Sequence, residues 1–313
     1  MLRAIALRIL WLIPTLLAVS FITFSLMMLT PSDPAEVAIR VNAMVPTPEL
    51  IAEMRHELGL DEPFLLRYVH WLAGILRGDF GVSFITARPV LDEMLTALGA
   101  TLKLATAALA LIVSISAATA MLCARHPGGA VDRVIRTLIF VSGSLPSFWV
   151  GLLLIWLFSI KLNWLPTSGM TAHGSIVLPA LTLSLMYLSS YARLMRAEML
   201  NARHADWVLF ARSRGLSSLR ILGHIWLNSL RGSAAALGMS IPKLIAGAFV
   251  VESIFAWPGI GRLCVSAIFN RDLPVIAAYA LLTATLFVLF NLASELFILW
   301  LDPRDRQQAG GKL

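Results

Sequence analysis

Six long apolar runs decide what this chain can become. They fall at about 9–30, 100–123, 135–160, 175–192, 234–256 and 275–300. Each has the roughly 17–25 residues a helix needs to cross a hydrocarbon core of about 30 Å. Inside a bilayer an unpaired backbone group costs several kcal/mol, so each run must be helical. The expected fold class is therefore an all-α integral membrane protein with six spans. Residues 1–313 are expected to form one transmembrane domain. A soluble chain is excluded by composition: 14% of residues are charged and 58% are hydrophobic, against about 25% charged in ordinary globular domains. Pro14, Pro146, Pro179 and Pro242 lie in or at the edge of runs, where they predict kinks.

Arginine placement predicts the orientation. Arg3 and Arg8 precede the first run; Arg125, Arg133 and Arg136 flank the second loop; the fourth loop carries seven arginines between Arg193 and Arg231. Arg304, Arg306 and Lys312 follow the last run. With six spans all of these fall on one side, and short basic loops stay cytoplasmic. Both termini are thus expected in the cytoplasm, and the first run is expected to be an uncleaved anchor. The formal charge of +7 reads as topology, not as nucleic-acid binding.

The first loop, 31–99, is then an extracytoplasmic cap. Thr47-Pro48-Glu49 is a helix start, followed by an apolar stripe at Leu50, Ile51, Met54 and Leu58 and a stop at Gly59. Asp61-Glu62-Pro63 starts a second helix that runs to Gly78.

Catalytic chemistry has no foothold. The chain lacks a phosphate-cradling G-x-x-x-x-G-K-[ST] loop, an H-E-x-x-H and a G-x-S-x-G. Its six histidines are dispersed, and Cys123 and Cys264 are expected on opposite sides of the membrane. No catalytic residue, metal site or cofactor is expected. Lys243, Glu252 and Glu295 are the ionisable residues well inside the runs. Lys243 and Glu252, both in the fifth run, are candidates for a translocation path; the alternative is that Glu252 simply reaches water at the outer end. So few deep charges argue against an ion-coupled carrier.

The fourth loop, 193–233, carries the most information. It contains D-W-V-L-F-A-R-S-R-G-L over 206–216 and continues through Ile225, Leu227 and Asn228. Asp206 can cap a short helix, Gly215 can end it in the left-handed conformation, and Ser217 or Ser218 can cap the next. A short helix, a sharp turn and a second helix suit docking into a partner's groove, with Arg212 and Arg214 facing carboxylates. A basic loop held at lipid headgroups fits the same residues.

That loop resembles the cytoplasmic coupling loop of permease subunits of ATP-binding-cassette importers. The family pattern places Ala, Gly, Ile and Leu where this chain has Ala211, Gly215, Ile225 and Leu227. The dipeptide, oligopeptide and nickel branch is similar along nearly the whole chain: G-D-F-G-V-S (78–83), R-P-V-L-D-E-M-L (88–95), S-L-P-S-F-W-V-G (144–151), V-V-E-S-I-F-A-W-P-G-I-G-R (250–262) and N-R-D-L-P-V-I (270–276). Leu209 and Asn228 stand where the pattern has Glu and Pro. Trp257, Pro258, Gly259 and Gly261 read as a tight turn with Trp257 an interfacial anchor; in the family this turn lies at the outer mouth.

The resemblance implies a second homologous permease subunit, two cytoplasmic ATPases, an extracytoplasmic binding protein and a lipid environment in the inner membrane. It implies a cargo of nickel, another metal ion or a metal chelate, with dipeptides or oligopeptides as the alternative.

Overall fold

A computed structural model describes residues 2–29, 33–41, 44–57, 59–238 and 241–301. Among these the regular structure is helical, apart from one isolated bridge between Val82 and Pro89. Helix covers most of each predicted run. By length and apolarity two described segments can cross a bilayer alone, in α5 (Val90–Arg125) and over Leu273–Ser294 of α13 (Leu273–Leu301). A third qualifies if α6 (Ala130–Ser144) and α7 (Ser147–Leu154, continued by π-helical turns Ile155–Lys161) are one broken span. Arg3, Arg8, Glu295 and Arg231 lie in helices whose side chains are not described, and Arg304, Arg306 and Lys312 lie outside the described residues.

The chain forms two compact units. One contains Thr101–Pro258 and the chain from Leu289 onward. Its hub is α8 (Val177–Arg203), which packs against α6, α7, α10 (Ser218–Gly238) and α11 (Ile241–Ile254). Twelve α8 residues are buried, among them Leu178, Leu183, Met195 and Met199. At the α6–α8 crossing a Cβ at Gly143 would collide with the Ser189 side chain, so a larger residue there would force the two helices or that side chain to shift.

The predicted kinks need correcting. The 135–160 run is not a kinked helix but is broken by 104°. Leu145, which precedes Pro146, is extended at φ −89°, ψ 136°, since the proline ring disfavours helix at the preceding residue. Pro179 and Pro242 sit in the first turns of α8 and α11, where the missing N–H is not needed. Pro14 lies inside α1 (Leu2–Met28).

The second unit contains Leu2–Ala100 and Gly259–Val288. The cap carries the two expected helices, α3 (Pro48–Glu57) and α4 (Phe64–Leu76), and one that patterning missed, α2 (Pro34–Val41). The Thr47 hydroxyl accepts from the Leu50 N–H at 3.3 Å, as a cap should. Leu58 of the expected stripe is outside the described residues. From α4, Phe64, Tyr68 and Trp71 stack about Phe24 of α1 at 5.4–5.6 Å, and Tyr68 shares a 2.8 Å hydrogen bond with Ser20. Val90 and Met94 of α5 pack with Ala267 of α12 (Ile260–Asn270) and with Val275 and Ala278 of α13. Buried Asp272 accepts from the Ser83 hydroxyl at 2.5 Å and from the Phe84 N–H at 3.1 Å.

Candidate functional site

The fourth loop folds as the expected pair of helices around a sharp turn. α9 (Asp206–Ser213) ends at Gly215, which has φ +75°. The Gly215 N–H donates to the Arg212 carbonyl at 2.9 Å and the Leu216 N–H to the Ala211 carbonyl at 3.2 Å. These two bonds are the Schellman pattern, which satisfies carbonyls that the helix end would leave without partners. Helix α10 then starts at Ser218. Asp206 does not cap α9 as expected: the cap position is Ala205, with no side-chain bond. Asp206 instead places its charge in the first turn, where the helix dipole favours it.

Burial sorts the loop into anchors and an open face. Val208, Ile221 and Ile225 are buried in a cluster with Met195, Met199, Ala120 and Ala124, and Ala211 and Leu216 pack against it. Leu209, Phe210, Leu219 and Leu227 are 61–73% exposed. Arg212 and Arg214 are exposed as well. Neither forms an ion pair among the described residues; Arg214 lies over the Phe210 ring at 5.7 Å. Of the sequence-picked residues, Ile225 is thus an anchor, whereas Leu227, Arg212 and Arg214 belong to the free face. Leu209 was noted only as a departure from the family pattern and Phe210 was not picked as a contact, although the apolar stretch Trp207–Phe210 in a basic loop was the available signal.

A clamp behind this loop was also not anticipated. Asp132, at the start of α6 and 1% exposed, accepts from Nε and Nη2 of Arg196 on α8, both at 2.8 Å. It also accepts from the Gly128 N–H at 2.9 Å, and Arg136 stands 3.7 Å away. The Arg196 bonds hold the carboxyl well below the usual carboxylate range, against the opposing effect of burial. The same bonds push the Arg196 guanidinium up. Arg203 donates to the Ala124 carbonyl at 2.6 Å, tying the end of α8 to the end of α5.

The two path candidates do not share a face. Glu252 is fully buried, and its carboxylate accepts from the equally buried Thr101 hydroxyl at 2.6 Å. Lys243 is exposed. Nine residues apart on a helix of 3.6 residues per turn, they project to opposite sides. Nor does Glu252 reach water as the alternative reading had it. Replacing Glu252 with Ala leaves the Thr101 hydroxyl without this acceptor and should lower the thermal midpoint in detergent by several degrees. Glu252→Gln keeps an acceptor oxygen and should lower it less, with uptake per folded molecule retained. A stable Glu252→Gln that carries no cargo would return Glu252 to the path.

The turn at 255–261 also departs from expectation. Trp257 is no interfacial anchor but is 1% exposed within the chain, its N–H bonded to the Glu252 carbonyl at 2.8 Å. The left-handed residue of the turn is Ala256, φ +48°. Gly259 is extended at φ −93°, ψ 173° and precedes α12. Gly261 is buried and Pro258 is exposed.

Residues 111–307 match the family model described as binding-protein-dependent transport system inner membrane component, and residues 1–105 match the model of its N-terminal part. The metal-staphylopine import system permease protein CntB of Staphylococcus aureus is 37% identical over 99% of this chain and 100% of its own length. A probable peptide ABC transporter permease of Sinorhizobium fredii is 36% identical over 92% and 94%. The di/tripeptide transport system permease DppB of Pseudomonas aeruginosa is 34% identical over 98% and 100%. Among solved structures, a chain of the MetNI methionine ABC transporter superposes with a TM-score of 0.56 at 14% identity, over 67% of this chain and 96% of that one.

Proposed function

This chain belongs to the family of binding-protein-dependent transport system inner membrane components and is a multi-pass permease of an ABC importer, and we propose that its cargo is a metal ion held in a chelate. The observation that carries this reading is the end-to-end match to the metal-staphylopine permease. Permeases named for a metal chelate and for peptides match this chain over nearly the same length and at similar identity. One permease architecture can therefore serve both cargoes, and peptide import is the second reading, supported by the peptide-permease relatives.

In the proposed mechanism six spans cross the membrane with both termini inside. A second permease subunit, two ATPases and a binding protein complete the importer, and nucleotide hydrolysis resides in the ATPases. α9 seats in a groove of an ATPase with Leu209 and Phe210 as apolar contacts and Arg212 and Arg214 as ionic ones. Ile225 and Val208 hold α9 to the bundle, so ATPase closure moves α10 and the packed α8 together. The cargo arrives already captured, and the path need hold it only weakly.

Uptake of radiolabelled nickel, with and without chelator, should depend on this chain and on ATP and should be unmoved by excess dipeptide. Chain-dependent dipeptide uptake with nickel unchanged would keep the architecture and replace the cargo.

A further inference from the structure

Beneath the coupling helix lies a cleft of about 530 Å³ formed by the ends of α5 and α8 with α9 and α10. Its walls divide by chemistry. Arg125, His126, Arg203 and Arg212 line it together with apolar residues of α10, Leu219 and Leu222 among them, and no acidic side chain does. Arg125 has no ion-pair partner among the described residues; Arg212 has none either, but the proposed ATPase contact also draws on it, so Arg125 and Arg203 are the cations left to the cleft alone. Arg203 spends one N–H on the Ala124 carbonyl, which leaves the rest of its five donors. Three arginines in one half-apolar cavity create a positive potential that nothing in its lining offsets, and His126 adds a hydrogen-bonding ring beside them.

Depth distinguishes the possible occupants. Arg125 is the last residue of α5, one of the two helices here long and apolar enough to cross a bilayer by themselves. Because the apolar run of α5 ends at residue 123, two residues before Arg125, the proposed orientation puts the mouth of the cleft at headgroup level. A ligand that satisfies both walls there carries a phosphate for the cations and an acyl chain for the leucines. We infer that this cleft is a binding site for the headgroup of an anionic phospholipid of the inner leaflet. Basic pockets between spanning helices on the cytoplasmic side are suited to such headgroups. A lipid seated there touches the end of α5, α8 and both coupling helices at once, and so stiffens the link through which the ATPase acts. The inference rests on the proposed cytoplasmic placement of the coupling loop but not on the identity of the cargo.

The test uses the purified whole importer, delipidated and then given phosphatidylglycerol or phosphatidylcholine, with retained lipid counted by native mass spectrometry. Phosphatidylglycerol should be retained in preference to phosphatidylcholine. Arg125→Gln with His126→Gln should cut that retention about fivefold or more, and Arg125→Lys should largely preserve it. Arg133→Gln, an exposed charge on the same loop outside the cleft, should leave it unchanged. Equal retention of both lipids, or an equal loss with Arg133→Gln, would overturn the site in favour of diffuse charge. Displacement by inorganic phosphate alone would assign the cleft to a free anion. Loss of the ATPases from the purified complex in the Arg125→Gln, His126→Gln variant would assign it to the partner protein. The cargo plays no part in these readouts, so failure of the metal reading would not be mistaken for failure of the lipid site.

Discussion

Gly215→Glu should abolish ATP-driven uptake, by more than about tenfold, while the protein inserts and accumulates normally. Two effects combine. At φ +75° a Cβ is strained wherever space allows it, and the left-handed conformation costs about 1–2 kcal/mol for a residue with a side chain. That cost falls on the turn that fixes the angle between α9 and α10. The new carboxylate then sits beside Arg212 and Arg214, neutralising the charges offered to the partner. A Cβ at this position meets nothing within 4 Å, so the fold of the bundle is spared. Gly215→Ala separates the two effects: it carries the backbone strain without the charge and should lose less. Uptake, ATPase stimulation and membrane abundance are measured together. Normal uptake by Gly215→Glu would remove this turn from the coupling path and reopen the carrier reading.

Asp132→Ala should give the largest loss of stability. It strands Arg196, whose two 2.8 Å bonds have no replacement. Breaking a buried ion pair from one side costs about 3–5 kcal/mol, and the lower figure applies because the Arg196 side chain is 22% exposed. The Gly128 N–H loses its acceptor as well. A fall of several degrees in the thermal midpoint is expected, with uptake falling as folded protein is lost. Asp132→Asn keeps an acceptor and should fall less. The pair also sets a pH response. Because the folded state depresses the Asp132 pKa, its contribution is complete above the ordinary carboxylate value of about 4. It declines as pH falls from there towards the folded pKa. Because the folded pKa lies well below pH 3, the midpoints of wild type and Asp132→Asn should keep a constant gap from pH 7 to about 4 and begin to approach each other only below that, with most of the gap still present at pH 3. Curves that stay parallel below pH 4 would assign the stability to packing instead of to charge.

Sequence periodicity revealed what is local. The helix that begins at Asp206, the turn at Gly215 and the helix that follows are specified within a dozen residues, and the structure has them there. The cap helices after Thr47 and Pro63 were legible for the same reason. Long-range pairing left no such trace. Asp132 drew no attention, because Arg196 lies 64 residues away. Glu252 and Lys243 were both taken as path candidates because hydropathy marks a run as membrane-like without saying which side is lined by Thr101. Trp257 was assigned to the interface by its type, but the chain buries it. The 104° break was underestimated because a proline was weighed alone, whereas it is the extended residue before it that turns the chain. Helix α12 escaped notice because Pro258, Gly259 and Gly261 cluster around its start and read as a turn.

The hydrogen bond between Ser83 and Asp272 spans 189 residues of sequence and gives the chain an order of completion. Synthesis at about 5–20 residues per second separates the two residues by about 10–40 s. During that time the early helices and the first turns of α5 exist without Ala267, Val275 and Ala278, the residues that later cover Val90 and Met94. The middle of the chain, Thr101–Pro258, is complete before the unit that begins the polypeptide can close. A nascent permease released before about residue 280 would expose an unfinished apolar seam, which is a natural point of attack for quality-control proteolysis. The last segment to emerge thus determines whether the first is protected.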